Sequence, residues 1–389
     1  MTNSSQIPTA DTAAERTETM KQGTIGKAVS LLAPGENNPR NGEGTFLRLK
    51  DGGILYAYSR YLGNSWDDHA DADIAGIISH DEGETWSEPV ILQAHDAQSS
   101  NFLCPCLLRM DNGDVGLIYL RKYRDDRDDV ENGFFPAPIL DTVLFVRSAD
   151  EGETWTEPIR VTTAREYIVI ENDRVVRLQN GRIILPANQH SYVKDGKLIV
   201  AGPAKMFMIA SDDDGRSWKI VSDEYEIPHP ENSGTGLQET CVYQHDDGDI
   251  LALSRTDRLC QYECHSSDNC ETWGEIYPNP YFSSPTSPLT MKRACGYTVA
   301  VWNPIPNYAG RDQTGTWGRT PLALAVSEND GRSFARMYLI EDDPENGYCY
   351  PTVFDGGDYL LVGYYHSNGS GVPLSSNKIV KVMKSELAE

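Results

Sequence analysis

Basic side chains stand at the ends of a few apolar runs in a chain that is otherwise strongly acidic. The 389 residues carry a formal net charge of −24, so an anionic ligand would have to be met by a local group of cations. Arg121 and Lys122 lie in YLRKY, Arg174 lies in VIENDRVVRL, and His190 follows the next hairpin in NQHSY. These residues could line a pocket for a small acidic molecule, but a structural role remains open for each of them.

The composition argues against several classes of partner. A net charge of −24 disfavours nucleic acids and anionic membranes, because binding phosphates requires a basic surface. No run of about 18 apolar residues is present to cross a bilayer. The stretch MTNSSQIPTADTAAERTETMKQGT has no apolar core, which predicts neither a secretory signal nor a transit peptide. We therefore expect a cytoplasmic protein that acts on a small molecule or an oligosaccharide, with its oligomeric state left open.

The cysteines favour free thiols in such a compartment. Eight are present, and a reducing environment keeps them unpaired and mostly buried. Cys260, Cys264 and Cys270 are close in sequence but lack the paired spacing of a zinc site. No metal or organic cofactor is implied.

A short acidic motif occurs five times along the chain. The copies begin at Ser79, Ser148, Ser211, Ser266 and Ser327, with spacings of 69, 63, 55 and 61 residues. Each reads Ser, any residue, Asp or Asn, any residue, usually Gly, any residue, Thr or Ser, and then an aromatic residue. Self-similarity at such a period indicates a repeat architecture with variable loops. Because the Asp side chain can bind nearby backbone amides, we interpret the motif as a turn that fastens a hairpin.

Six alternating apolar runs, each split by a turn dipeptide, accompany the motifs. In FLRLKDGGILYAY and CVYQHDDGDILALS, for example, Asp-Gly marks a tight hairpin. Two hairpin strands, a third strand, the motif and a fourth strand form one unit, which predicts a four-stranded antiparallel blade. Six units predict an all-β, six-bladed β-propeller as one domain over residues 23–389, after a disordered segment at residues 1–22. Because a ring must close, TIGKAVSLLAP is expected to pair with the last unit.

Five such motifs in a six-unit propeller resemble the Asp-box (BNR) repeats of the sialidase, or neuraminidase, superfamily. The resemblance covers nearly the whole chain, although the repeats specify a fold more firmly than a chemistry. It implies three arginines that bind a carboxylate, an Asp as general acid and base, and a Tyr nucleophile whose proton passes to a Glu. Arginine suits a carboxylate because its planar donors reach both oxygens. A neutral Tyr can approach an anomeric carbon that bears a carboxylate without charge repulsion.

The segment SRYLGNSWDDHADADIAG resembles the family's region of an arginine followed by the acid/base residue. Arg60 matches a carboxylate-binding arginine, and Asp67 or Asp68 matches the acid/base residue. Asp71 and Asp73 remain possible because the loop length is ambiguous. A solvated acidic loop is the structural alternative.

Three later segments carry the other matches. GLQETCVYQHDDGDILALSRTD has Glu239 and Arg255 at the two ends of a hairpin, as the family does. GRTPLALAVSENDG has Arg319 ahead of a strand that leads into an acidic motif, where the resemblance implies another binding arginine. ENGYCYPTVFDGG has Tyr350 in the place of the nucleophile, with Tyr348 as a near alternative.

The family's R-I-P arginine motif is absent from this chain. The sequence before the first hairpin reads NPRNGEGTFLRLKDG, so that Arg40 is close but shifted and Glu43 is nearer the expected place. Either Arg40 fills that role, or the pocket is rebuilt around Glu43, which would change the substrate. Arg174 and His190 have no clear family equivalent and stay candidates for substrate binding.

The resemblance implies a retaining exo-glycosidase of the sialidase type, without a cofactor. Its substrate would be a terminal carboxylated sugar, such as sialic acid or a related nonulosonate, on a glycoconjugate. An alternative enzyme is a glycosidase or lyase for another acidic or deoxy sugar, with His190 in proton transfer. A third hypothesis is a non-catalytic carbohydrate-binding propeller.

Overall fold

β-Strands form nearly all the regular structure of the protein. The computed structural model describes residues 23–124, 130–132, 139–162, 166–305, 318–367 and 374–388. The segment predicted to be disordered, residues 1–22, lies outside these ranges. Within them are 26 strands and two 3₁₀ turns, Pro230–Asn232 and Lys384–Leu387. No helix among the described residues has the length and apolar character needed to cross a membrane.

The strands are short and joined mainly by tight hairpins. In chain order they are β1 (Lys27–Leu32), β2 (Asn41–Arg48), β3 (Ile54–Tyr61), β4 (Ala72–Ser79), β5 (Val90–Gln93), β6 (Asn101–Arg109), β7 (Val115–Arg124), β8 (Val130–Asn132), β9 (Ile139–Ser148), β10 (Ile159–Arg160), β11 (Ile168–Val169), β12 (Val176–Arg177), β13 (Ile183–Lys194), β14 (Lys197–Ser211), β15 (Lys219–Ile220), β16 (Gln238–Gln244), β17 (Ile250–Arg255), β18 (Cys260–Ser266), β19 (Tyr277–Ser283), β20 (Thr290–Ala294), β21 (Tyr297–Trp302), β22 (Leu322–Ser327), β23 (Arg336–Glu341), β24 (Tyr348–Asp355), β25 (Tyr359–His366) and β26 (Ser376–Met383).

These strands form five hydrogen-bonded sheets in the described part of the chain. Three have four strands: β16 to β19, β20 to β23, and β24 to β26 with β1. A six-stranded sheet contains β12 to β15 together with the short strands β8 and β11. The largest sheet has eight strands, in which β2 to β5 and β6, β7, β9, β10 form two antiparallel groups. One parallel pair, Ala72 with Asn101, joins these two groups.

The predicted all-β propeller of antiparallel four-stranded sheets is confirmed. The predicted count of six blades is not confirmed, because the strands form five separate sheets and the pairing of β4 with β6 merges two of the predicted units into one sheet. The predicted closure is present, since β1 pairs antiparallel with β26 from Lys27 opposite Lys381 to Leu32 opposite Asn377. The N-terminal strand therefore completes the last sheet.

The five acidic motifs form the hairpin turn expected from their sequence. In the first, Asp81 accepts hydrogen bonds from the Thr85 amide at 2.8 Å and the Thr85 hydroxyl at 2.6 Å. In the fifth, Asn329 accepts from the Ser333 amide at 3.0 Å and donates to its hydroxyl at 2.9 Å. The interpretation of the motif as a structural turn is confirmed.

Apolar side chains fill the spaces between neighbouring sheets. One cluster joins Ile118 and Phe145 of the eight-stranded sheet to Ile170, Leu185 and Phe207 of the six-stranded region. Each sheet is thus held by the faces of its two neighbours, which fixes where the inner strands of successive units begin. Those strand ends surround a central cavity.

Candidate active site

A cavity of about 720 Å³ opens at one end of the inner strands. Its walls come from all five sheets or from the loops that enter them. Ten residues singled out in the sequence line it: Arg40, Glu43, Asp67, Asp68, Lys122, His190, Glu239, Arg255, Arg319 and Tyr350. Side chains more than 300 positions apart in the chain therefore meet in one pocket.

A tyrosine, a glutamate and an arginine form the most closely connected group in this cavity. The Tyr350 hydroxyl donates to Glu239 Oε1 at 3.1 Å, and Arg255 Nη1 donates to the same hydroxyl at 3.0 Å. Arg255 also makes a short ion pair with Glu239. The phenol therefore has a carboxylate to accept its proton and a guanidinium to stabilise negative charge on its oxygen.

β-Bulges position these side chains. An extra residue interrupts the register near the start of β2, β6, β16 and β24. At three of the bulges one residue has a left-handed backbone: Cys104 at φ 55°, Glu239 at φ 50° and Tyr350 at φ 54°. Such a conformation is costly outside glycine, and a bulge redirects the side chain it carries. The repeated unit thus has a β-bulge at equivalent strands, and the residue type at each bulge determines which functional group is presented there.

Tyr350 is neutral in this environment. Burial raises the pKa of its phenol well above the ordinary value, and Glu239 raises it further. Arg255 and Arg319 act in the opposite direction but do not reverse the shift. A neutral phenol can approach a carboxylated sugar, and it becomes nucleophilic only as its proton moves to Glu239.

Arg319 borders the tyrosine from the other side. Its guanidinium carbon lies 5.6 Å from the centre of the Tyr350 ring. Its Nε and Nη2 donate to the Thr286 carbonyl at 3.1 and 2.9 Å, and Nη1 donates to Cys349 Sγ at 3.2 Å. The side chain is therefore held in a fixed orientation at the cavity wall.

Arg40 enters the cavity despite the missing R-I-P motif. Its Nε donates to the Tyr365 hydroxyl at 2.8 Å, and its guanidinium stacks between the rings of Tyr61 and Tyr365. Its Nη1 binds Asp68 Oδ1 at 2.5 Å, and its Nη2 lies 3.5 Å from Glu43 Oε1. Arg40 and Glu43, the two alternatives for the missing motif, are thus both present in the pocket. Arg40 is paired with two carboxylates, those of Asp68 and Glu43.

The carboxylates of the loop before β4 differ in their surroundings. Burial raises the pKa of Asp68, but Arg40 and Lys122 outweigh it and hold that pKa well below the ordinary range. Asp67 lines the same cavity and accepts a hydrogen bond from the His69 amide at 2.9 Å. Asp68 is therefore ionised while it is paired with Arg40, and both residues remain candidates for the acid/base role.

Several predicted residues lie away from the cavity. Arg60 is outside because side chains alternate along β3, which turns Ser59 and Tyr61 inward and Arg60 to the other face. Arg174 is 1% exposed and does not line the cavity, and its Nη1 donates to Thr290 Oγ1 at 2.6 Å. The assignment of these two arginines to the binding pocket is corrected accordingly.

The near alternatives considered for the catalytic groups are also outside the cavity. Tyr348 directs its hydroxyl to the Asp343 carbonyl at 3.4 Å, and Asp73 pairs with His95 at 2.7 Å. Asp71 is exposed and does not line the pocket. Arg121 pairs with Asp96 at 2.6 Å, which leaves Lys122 as the cation of YLRKY in the cavity.

His190 lies on the cavity wall beside the tyrosine group. Its Nε2 lies 3.0 Å from Gln238 Nε2, and its Nδ1 lies 3.2 Å from the Gly202 carbonyl. Burial lowers the pKa of its imidazole, and Arg255 lowers it further. The ring is therefore neutral at pH 7, with Nδ1 facing the Gly202 carbonyl and Nε2 facing Gln238.

The sequence did not single out three buried groups of this pocket. Glu171, Cys104 and Tyr365 lie on or against the cavity wall and contact residues that were predicted. Glu171 precedes a strand of only two residues, which has no recognisable alternation. Cys-Pro at 104–105 and Tyr-Pro at 350–351 mark two of the bulges, and this shared dipeptide pattern could have indicated Cys104.

The five sheets form a β-propeller, and residues from all of them or from their loops line the cavity. A family model described as a BNR repeat-like domain matches residues 52–366. The chain belongs to this family, within the sialidase superfamily of β-propellers.

Individual relatives are distant in sequence. A sialidase from Paraclostridium sordellii is 24% identical over 254 residues, which cover 59% of this chain and 55% of the relative. The match thus spans about half the length of that protein. A Dyadobacter fermentans protein of unknown function has a TM-score of 0.69 at 18% identity, covering 92% of this chain and 99% of the other. The intramolecular trans-sialidase of Ruminococcus gnavus, solved with oseltamivir carboxylate, has a TM-score of 0.67 at 16% identity, covering 93% and 98%.

Proposed function

We propose that the protein is a retaining exo-glycosidase of the sialidase type. It would remove a terminal carboxylated sugar, sialic acid or a related nonulosonate, from a glycoconjugate. The observation that supports this most strongly is the Tyr350 phenol, 3.1 Å from Glu239 and 3.0 Å from Arg255 inside the cavity. Membership of the sialidase superfamily agrees with that chemistry.

In the first half of the reaction, Tyr350 attacks the anomeric carbon. The phenol proton passes to Glu239 as the new bond from Tyr350 oxygen to carbon forms. The bond from the anomeric carbon to the leaving oxygen breaks, and Asp67 or Asp68 supplies the proton for that oxygen. Arg255 stabilises the negative charge that develops on the phenol oxygen as Glu239 takes up the proton and becomes neutral.

In the second half, water replaces the tyrosine. The aspartate that protonated the leaving group now accepts a proton from water, which attacks the anomeric carbon from the opposite side to Tyr350. The bond from Tyr350 oxygen to the anomeric carbon breaks, its electron pair stays on the phenol oxygen, and the proton held by Glu239 returns to that oxygen. Two inversions leave the product with the configuration of the substrate.

Three arginines favour an acidic sugar. Arg40, Arg255 and Arg319 line the cavity, and each presents a planar donor group suited to a carboxylate. A substrate carboxylate at Arg40 would compete with Asp68 for the same guanidinium. Displacement of Asp68 would remove an interaction that keeps its carboxyl ionised, and would bring its pKa closer to that of a general acid.

We also propose that the eight-stranded sheet is two blades of a six-bladed ring. Its two antiparallel groups contain four strands each, and one residue pair connects them. With the other four sheets, this division gives six units around the cavity.

The function can be tested with fluorogenic glycosides of sialic acid and related nonulosonates. We expect the wild type to hydrolyse at least one, Tyr350→Phe to lose at least about 100-fold in kcat/KM, and Tyr348→Phe to retain activity. Tyr348→Phe is the matched control because its hydroxyl lies outside the cavity. No turnover of any panel member would refute the substrate assignment. An unsaturated product that absorbs in the ultraviolet would show a lyase, and binding without turnover would show a sugar-binding protein.

A further inference from the structure

A buried group of possible metal ligands lies in the wall of the cavity. Glu43, Cys104 and Glu171 each offer one ligand atom, and these atoms all lie within 4.8 Å of one another. It is the one such group among the described residues. Its members come from β2, from β6 and from the loop before β12, so that three neighbouring units converge on it.

An unsatisfied carboxylate oxygen gives independent evidence for a ligand. Glu43 is 6% exposed, and its Oε2 has no donor in hydrogen-bonding geometry among the described residues, while the Tyr365 and Ser59 hydroxyls lie near the carboxylate. Its other oxygen is 3.5 Å from Arg40, at the edge of an ion-pair contact. Because a buried carboxylate oxygen without a donor is costly, this atom favours a positively charged or hydrogen-bonding partner in the cavity.

The charges around Glu171 also favour a bound cation. Glu171 is 4% exposed, and it has no ion pair within the described ranges. Its Oε1 accepts only the adjacent Asn172 amide, at 2.8 Å. Two further acidic side chains, Glu43 and Glu239, lie close enough to Glu171 to repel its negative charge. A cation between the carboxylates would offset this repulsion.

We propose that Glu43, Cys104 and Glu171 bind a divalent transition-metal ion, with zinc as the best match. One thiolate and two carboxylates suit zinc, which accepts both sulfur and oxygen ligands in a tetrahedral arrangement. Zinc bonds of about 2.0–2.3 Å put ligand atoms less than about 4.6 Å apart, so modest side-chain rotations close the set. All three residues line the cavity, and the fourth position therefore faces a bound sugar, whose hydroxyl or carboxylate oxygen can fill it.

This site goes beyond the proposed glycosidase, and its test needs no substrate. Full-length protein stripped with a chelator would be titrated with Zn²⁺ by calorimetry and with Co²⁺ by absorption spectroscopy. We expect one ion per chain, with a thiolate-to-cobalt charge-transfer band. Cys104→Ser should abolish the band, and Glu171→Gln should weaken Zn²⁺ binding at least about tenfold.

A half-buried cysteine outside the cavity supplies the matched control. Cys260→Ser makes the same chemical change on β18, and it should leave the cobalt band and the stoichiometry unchanged. Thermal unfolding of each variant without metal would verify that it is folded. Absence of stoichiometric binding, or a charge-transfer band that persists in Cys104→Ser, would overturn the proposal. A positive result with an inactive enzyme would leave the metal site standing and refute the glycosidase alone.

Discussion

At the residue scale, the proposed chemistry depends on which charged and titratable groups of the pocket have partners. Tyr350 has both a proton acceptor and a cation within hydrogen-bond distance. Asp68 is paired with Arg40, and Lys122 adds positive charge beside it. Burial and the neighbouring Glu239 raise the pKa of Tyr350 and keep the phenol neutral, whereas Arg40 and Lys122 lower the pKa of Asp68 and keep its carboxylate ionised. In the proposed mechanism, Tyr350 is therefore a nucleophile that stays uncharged until the substrate binds.

Asp141 provides a pH-dependent probe of the pocket wall. It is fully buried opposite Lys122, and neither of its carboxylate oxygens has a hydrogen-bond partner among the described residues. Burial raises its pKa to about 7, and Lys122 limits the rise. In the unfolded chain the pKa is about 3.9. Between these values the folded protein holds a proton that the unfolded chain has lost, so stability falls as pH rises.

We expect Asp141→Asn to flatten this dependence. Relative to the wild type, the variant should gain about 1 kcal/mol of unfolding free energy per pH unit between pH 5 and pH 7. Above pH 7 this gain should level off. Thermal unfolding at a series of pH values measures the effect, with the exposed Asp195→Asn as control. A difference that does not vary with pH would contradict the assignment.

The sequence predicted some residues of the pocket correctly and failed for others. Family resemblance placed Glu239, Arg255, Arg319 and Tyr350 in one cavity because hairpin ends are recognisable in the sequence. It misplaced Arg60, since a bulge in β2 and the alternation of β3 together decide which neighbour faces inward. Glu171 was missed because its importance arises only from proximity to Glu43 and Cys104 in space.

At the element scale, bulges at the inner strands aim the functional side chains. The first bulge contains Gly42 and Glu43. A Cβ atom on Gly42 would lie 1.9 Å from the Tyr365 hydroxyl. That hydroxyl accepts the hydrogen bond that orients Arg40. Only glycine at position 42 leaves room for the Tyr365 hydroxyl. A side chain there would therefore disturb the orientation of Arg40 in the cavity.

Gly42→Ala should therefore destabilise the protein by about 1–3 kcal/mol, the usual cost of overpacking a tight site. It should also displace Tyr365 and weaken binding of an acidic ligand at Arg40. Chemical denaturation and ligand titration measure the two effects. Gly35→Ala is the control, because a Cβ atom there meets nothing within 4 Å. Equal stability of the two variants would show that the bulge tolerates a side chain.

The hairpins and the acidic turns could be predicted from sequence, but the extra strands could not. Asp-Gly turns and period-two alternation are local signals, and they located β2 with β3 and β16 with β17. By contrast, β13 and β14 continue pairing beyond a register shift near His190, and β8 joins them in parallel. That extension depends on contacts between distant segments, which leave no local pattern.

At the scale of the whole molecule, the N-terminal strand closes the last sheet. Val29 packs against a cluster that includes Phe46 and Ile379, whereas Leu31 on the same strand is 53% exposed. The first and last strands therefore depend on each other for burial. Closure could be expected from sequence because a ring leaves one unit incomplete, although the register of β1 against β26 could not.

Val29→Asp should lower the stability of the whole protein by about 1–3 kcal/mol, since it places a charge in an apolar cluster. Leu31→Asp, on the exposed face of the same strand, should have little effect. Differential scanning calorimetry would compare the two Tm values. If both variants have the same Tm as the wild type, β1 does not contribute to closing the ring.

The most direct test of the proposed chemistry is to trap the sugar on the protein. A 2,3-difluorosialic acid carries a fluoride leaving group, and its second fluorine slows hydrolysis of the glycosyl-enzyme. Mass spectrometry of the digested protein after incubation should show one sugar adduct on Tyr350, with much slower formation in Glu239→Gln. An adduct on another residue, or none in a preparation that hydrolyses a sialoside, would contradict Tyr350 as the nucleophile.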